Sequence, residues 1–163
     1  YDYAASKDIE KIIYCDKMLY SMKLVKESRD AMCRSGSQMI KCIKSFLNDD
    51  LLNLYYDAIH ESNSPATHPV VTGVCSSILG VKKDSAVTMM LYGFSVSTIG
   101  AALRLGMIDH IQSQQILHRL KPRITQCVKQ YLSISIENMW QFAPEYDIIQ
   151  MKHEQKFSKM FIT

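Results

Sequence analysis

Pro69-Val70-Val71-Thr72-Gly73-Val74-Cys75-Ser76-Ser77-Ile78-Leu79-Gly80 and, further on, Gly93-Phe94-Ser95-Val96-Ser97-Thr98-Ile99-Gly100 carry the same spacing of small residues. Gly73, Ser77 and Gly80 are four and then three apart, and Gly93, Ser97 and Gly100 repeat that pattern twenty residues later. At about 100° per residue, each trio falls on one narrow helix face. Glycine inside a helix costs about 1 kcal/mol relative to alanine, so two such faces call for a compensating close approach of backbones. The spacing predicts two helices, 69–80 and 84–105, packed small face to small face at the centre of the fold.

The second of these segments carries no charge over 85–103, which is long enough to span a bilayer. Ser85, Thr88, Tyr92, Ser95, Ser97 and Thr98 make it a weak hydrophobic span, and no aromatic belt flanks it. The expectation is therefore a buried central helix and no membrane partner. Arg104 lies eleven residues beyond Gly93, on the same face, in the last turn before a C-capping Gly106. There it answers the helix dipole or offers a positive group to a partner where two close-packed helices end.

A length of 163 residues points to one domain spanning 1–163. Four prolines and six glycines punctuate too little for a sandwich or barrel of short strands. The net charge of +3, without a basic cluster interleaved with aromatics, argues against a nucleic-acid partner. Cys15, Cys33, Cys42, Cys75 and Cys127 are odd in number and scattered, a pattern of reduced thiols in a cytoplasmic protein. No secretory leader is read, and a first residue of Tyr1 in place of Met leads us to expect an upstream segment that was removed.

Along the chain, Ser6 is read as the cap of a short helix through Ile9, Ile12 and Ile13, ending near Asp16. A long helix follows from about Leu24 to Leu47, with Val25, Met32, Gly36, Met39, Ile40, Ile43, Phe46 and Leu47 on its apolar, helical-period side. Its other side bears Lys23, Lys26, Arg34, Lys41 and Lys44, read as a solvated basic stripe. The run 48–50 caps the next helix, and 61–65 forms a loop that leads through Thr67-His68-Pro69 into the central pair. Asp109 and Gln112 form a capping box for a helix that Pro122 should kink or divide. Residues 133–136 alternate as a short extended piece, and Pro144 starts a last helix over 144–155. The class is all-α, with seven or eight helices and no sheet.

Catalytic signatures are absent: no P-loop, GxSxG, HExxH or GxGxxG occurs. No two of the best metal ligands recur three or four apart on a helix, so no metal site and no bound cofactor are expected. A stand-alone helical nickel-binding protein is the alternative function. The last seven residues crowd Phe157, Met160, Phe161 and Ile162 around the single charge Lys159, where termini are usually polar. Such residues dock on their own core or enter a partner.

Three stretches together resemble the UreF family of urease accessory proteins. Thr67 through Val74 with Leu79-Gly80-Val81 is similar to the family's His-led, glycine-studded helix. Ala101-Ala102-Leu103-Arg104-Leu105 resembles its basic helix end and Gln114-Gln115-Ile116-Leu117 its Gln-Xaa-Ile-Leu stretch, with Met107-Ile108-Asp109-His110 where the family carries Pro-Leu-Gly-Gln. Met151-Lys152-His153-Glu154 and Ser158-Lys159-Met160-Phe161-Ile162-Thr163 resemble its ending, with Lys159 in place of an arginine. The family's N-terminal third has no counterpart here. The resemblance implies an all-helical, cytoplasmic, non-enzymatic homodimer. It implies binding to a UreD/UreH-like accessory protein and recruitment of the UreG GTPase, in a complex that handles nickel for apo-urease. Carried onto this chain, it marks Arg104, His153, Glu154, Phe157, Lys159, Met160 and Phe161 as partner-binding residues.

Overall fold

The structure is a computed structural model that describes residues 1–154. Its α-helices are α1 (Asp2–Ala5), α2 (Ile9–Met22), α3 (Lys26–Lys44), α4 (Asp50–His60), α5 (His68–Ile78), α6 (Lys83–Arg104), α7 (His110–Tyr131) and α8 (Pro144–Glu154). No strand occurs among the described residues, so the all-α class holds. The alternating run at 133–136 is not extended; it leads into a 3-10 turn, Ile136–Asn138. The described helices cluster into two compact units. One comprises Tyr1–Gly80 with the described residues 136–154, and the other Val81–Ser135.

In the first unit the core is built by α2, α3, α4 and α5. Ile12, Ile40, Leu51, Leu52, Tyr55, Val71, Val74 and Cys75 are buried together, and burying each large apolar side chain stabilises by about 1.5–3 kcal/mol. Start signals are local and acidic. Asp8, rather than Ser6, caps α2 by accepting from the Lys11 amide at 3.1 Å. The reason is a turn: Lys7 takes φ 56°, and the Ser6 hydroxyl donates back to the Tyr3 carbonyl instead. Asp49 caps α4 through the Leu52 amide at 3.0 Å. Pro69 sits in the first turn of α5, where a missing N–H costs nothing.

Beyond Asp16, α2 continues to Met22, and that residue organises the unit. Asp16 is fully buried. Its Oδ2 accepts from Tyr55 Oη (2.8 Å), Ser64 Oγ (2.5 Å) and the Ala66 amide (2.8 Å). Its Oδ1 accepts from the Thr67 amide (2.8 Å) and Thr67 Oγ1 (2.5 Å). A buried carboxylate is tolerated only when its lone pairs are filled in this way. The price falls on the loop between α4 and α5, where Ala66 adopts φ 59°, an uncommon region for a residue with a Cβ. On the other side of that loop stands Gly36 of α3. A Cβ there would collide with the Ala66 carbonyl oxygen and come within 2.9 Å of Ala66 C and His68 N. The tightest backbone approach thus uses the glycine outside the repeated pattern, and it is α3 that packs most extensively on α5.

The second unit is α6 packed on α7. Gly106 (φ 70°) ends α6 in a Schellman arrangement: its amide donates to the Leu103 carbonyl and the Met107 amide to that of Ala102, both at 3.0 Å. Asp109 and Gln112 close the expected capping box, at 2.7 and 2.9 Å. Pro122 lies inside α7 without dividing it.

The helix expected to be most buried is the exception. On α6 only Ala86 and Ile99 are buried, and Phe94 is 67% exposed. By length and composition α6 is apolar enough to cross a membrane. Its hydroxyls need no partner helix, because Thr88, Ser95 and Thr98 each donate to the carbonyl four residues back, at 2.7–3.0 Å. The small-residue trios also serve differently from the expected face-to-face pair. A Cβ on Gly93 meets nothing within 4 Å, and one on Gly100 meets only Arg104 of the same helix. Gly80 is a left-handed residue just past α5 (φ 70°), and a Cβ on Gly73 would lie 3.1 Å from the Tyr1 backbone nitrogen. Ser77 and Ser97 lie on α5 and α6, helices of separate units; within its unit α5 packs most extensively on α3, and α6 packs on α7.

Candidate functional site

The residues marked by resemblance divide between the two units. Arg104 is exposed in the last turn of α6, where its cation meets the carbonyl end of the helix dipole. His153 lies in the last turn of α8, in the other unit. Glu154 is the final residue of α8. Phe157, Lys159, Met160 and Phe161 lie outside the described residues.

α8 is anchored by polar contacts. His153 Nδ1 is 3.2 Å from Glu27 Oε2 in the first turn of α3, and the neighbouring Ser28 hydroxyl donates to Gln150 Oε1 at 2.9 Å. Gln150 and His153 are three apart and so share one side of α8. His153 therefore pairs across helices with Glu27, a partner that sequence spacing could not name.

The apolar residues of α8 do the opposite of what burial would favour. Tyr146, Ile148, Ile149 and Met151 are exposed, and so are Trp140 (79%) and Phe142 (80%) just before the helix. An isolated exposed apolar residue is ordinary, but six exposed large apolar side chains within twelve positions are a local density that calls for a partner surface. Trp, Tyr, Phe and Met are also the side chains that interfaces enrich. Reading 144–155 only as a last helix passed over this run. The signal was present in Trp140 and Phe142 ahead of Pro144.

Titration separates buried from exposed groups. Burial, and next the Asp16 charge, pushes the Tyr55 phenol far above its usual value. Burial pushes the Cys75 thiol up to about 11, and raises Cys15 and Cys33 as well. Thiols shifted in this direction are poor nucleophiles at neutral pH. His110 and His118 are exposed. Among the described residues no group of three His, Cys, Asp or Glu side chains is placed to hold a metal ion. What the site offers is a surface: an outward apolar run on a polar-anchored helix.

Comparison with known proteins gives that surface a setting. The UreF family model matches residues 1–121. The urease accessory protein UreF of Trichodesmium erythraeum is 35% identical over 155 residues, covering 94% of this chain and 66% of the relative. Urease accessory protein UreF 1 of Brucella melitensis is 29% identical over 147 residues, covering 90% and 61% respectively. The UreF protein of Actinobacillus pleuropneumoniae is 22% identical across all 163 residues and 72% of its own length. The chain thus spans about three fifths to two thirds of the length of the first two relatives. With a family match over its first 121 residues and this level of identity, the chain belongs to the UreF family of urease accessory proteins.

Proposed function

We propose that this chain is a non-catalytic adaptor in urease maturation. It acts in the cytoplasm, as a homodimer, by binding a UreD/UreH-like accessory protein and recruiting the UreG GTPase. The assembly then delivers nickel to apo-urease, the metal being cargo of the complex and not a cofactor of this chain. The relatives' shared description as urease accessory proteins supports the setting. The observation that carries the adaptor reading is the apolar run at 140–151, turned outward on a helix anchored by Glu27 and Ser28. A protein that only completed its own core would turn Ile148 and Ile149 inward.

In this reading α8 and the tail beyond it form one docking element. His153 sets the helix against α3, Trp140, Phe142 and Ile149 supply apolar contact, and Phe157, Met160 and Phe161 add to it beside Lys159, the one charge among the last seven residues. Arg104, Glu154 and Lys159 contribute charge to the contact and its register.

Deleting residues 157–163 tests this directly. Pull-down of a purified UreD/UreH-like protein should be lost, while helicity and melting temperature stay within error of the parent. Lys159→Ala should weaken the complex by about 1–3 kcal/mol, the range for a charged hydrogen bond. A truncated chain that melts several degrees lower and still binds its partner would overturn the adaptor role of the tail.

A further inference from the structure

Between Val81 and Ser135 seven lysines and arginines stand against two acids, Asp84 and Asp109, so this unit carries +5 in a chain of net +3. The imbalance is concentrated on α7, which holds Arg119, Lys121, Arg123 and Lys129 and no carboxylate from His110 to Tyr131. All four cations are exposed. Among the described residues none of the four makes an ion pair. Arg119 and Arg123 are four apart and stand on one ridge, a like-charge spacing that weakens a helix slightly. Structure alone gives no return for that arrangement.

Beside the ridge, α6 and α7 enclose an open cleft of about 420 Å3 between Tyr92 and the residues Gln115, Leu117, His118, Arg119 and Lys121. Tyr92 and Leu117 give it an apolar lining. Gln114, Gln115, His118, Arg119 and Lys121 add amide, imidazole, guanidinium and ammonium groups, and no acid lines it. Guanidinium forks recognise carboxylates in two-point contacts that a scattered positive charge does not provide.

We propose that this cleft and the Arg119–Arg123 ridge are a docking surface for an acidic segment of a partner protein, in which Asp and Glu side chains flank an apolar or aromatic residue that enters between Tyr92 and Leu117. The proposal rests on the adaptor reading, since its occupant is a protein. It adds a second surface, on a different unit from α8, and states the chemistry of what binds there. Complementarity of charge selects the occupant. A second copy meeting the same patch across a twofold axis would oppose +5 to +5. Nucleic acid would want several Phe, Tyr or Trp rings stacked among the cations, and Tyr92 is the one such ring that lines this cleft.

The test uses the full chain and a labelled twelve-residue peptide of Glu and Asp around a central Tyr, followed by fluorescence anisotropy. Binding should weaken steeply between 50 and 300 mM salt, as screening of exposed charges requires. Arg119→Glu/Arg123→Glu should weaken it on the order of tenfold or more. The same charge change on the first unit, Arg34→Glu/Lys41→Glu, should change it less than about twofold. Arg119→Gln/Arg123→Gln, which removes charge without adding any, should give an intermediate loss, with circular dichroism unchanged in every variant. Equal losses in both reversed pairs, no binding of the peptide, or tighter binding to single-stranded DNA or to phosphatidylglycerol vesicles would each overturn the proposal. Purified UreD/UreH-like and UreG-like proteins are captured in parallel. If the parent captures neither, the adaptor reading fails; if it captures them and the reversed pair does so undiminished, only this proposal fails.

Discussion

Replacing Gly36 by alanine should destabilise the protein although alanine is the better helix former. The added methyl carbon would overlap the Ala66 carbonyl oxygen and lie 2.9 Å from Ala66 C and His68 N. All three are backbone atoms, so no flexible side chain can swing away. Overpacking of this kind costs about 1–3 kcal/mol. Relief by shifting the loop would stretch the Ala66 and Thr67 amides away from the buried Asp16 carboxylate, and each charged hydrogen bond is worth about 1.5–3 kcal/mol. Against this, the gain in helix propensity is about 1 kcal/mol. The net is a loss of roughly 2–5 kcal/mol, which for a chain of this size lowers the melting temperature by at least about 4 °C. Gly93→Ala is the matched control, because nothing lies within 4 Å of its added carbon. It should stabilise by up to about 1 kcal/mol. Thermal melts of the two variants beside the parent decide the matter. A Gly36→Ala protein melting at or above the parent would refute the close approach of α3 to the 66–68 backbone.

Asp16→Ala removes the acceptor of five hydrogen bonds from a buried site, and we expect a loss of about 3–5 kcal/mol by urea denaturation; a loss below about 1 kcal/mol would deny Asp16 its organising role. Tyr55 supplies a pH signature. Its folded-state pKa is raised, by burial first and the Asp16 charge second, so its contribution is fully present below the ordinary tyrosine value near 10 and is lost as pH rises above it. Stability should fall there by about 1.4 kcal/mol per pH unit for this one proton. Tyr55→Phe should remove that slope between pH 10 and 11.5 while costing about 0.5–3 kcal/mol at pH 7 for the lost hydrogen bond. Equal alkaline slopes in parent and variant would show that the phenol does not stay protonated in the fold. The Cys75 thiol, pushed up to about 11, adds its own loss over a lower range in both proteins and cancels from the comparison.

Local chemistry made most helix boundaries legible. Asp49, the Asp109–Gln112 box, Pro69 and Gly106 act on backbone groups within a few residues of themselves, so their roles follow from order along the chain. The all-α class and family membership were likewise readable from residues alone, the second because Thr67–Gly80 and Arg104 keep a recognisable pattern. Partner choice between helices was not. The repeated Gly-Ser-Gly spacing could not say what meets each glycine: Gly80 falls just past the end of α5, and the tightest backbone approach is to Gly36, outside the pattern. Asp16 shared a helix face with the buried Ile12, four residues earlier, and that carboxylate on an apolar stripe was the available clue. Its five donors come from residues 39 to 51 positions away, distances that only folding closes. The same limit separated His153 from Glu27, 126 residues apart. Hydrophobic periodicity reports which side of a helix prefers to be covered. Tertiary structure decides by what, and on α6 and α8 it leaves apolar side chains outward.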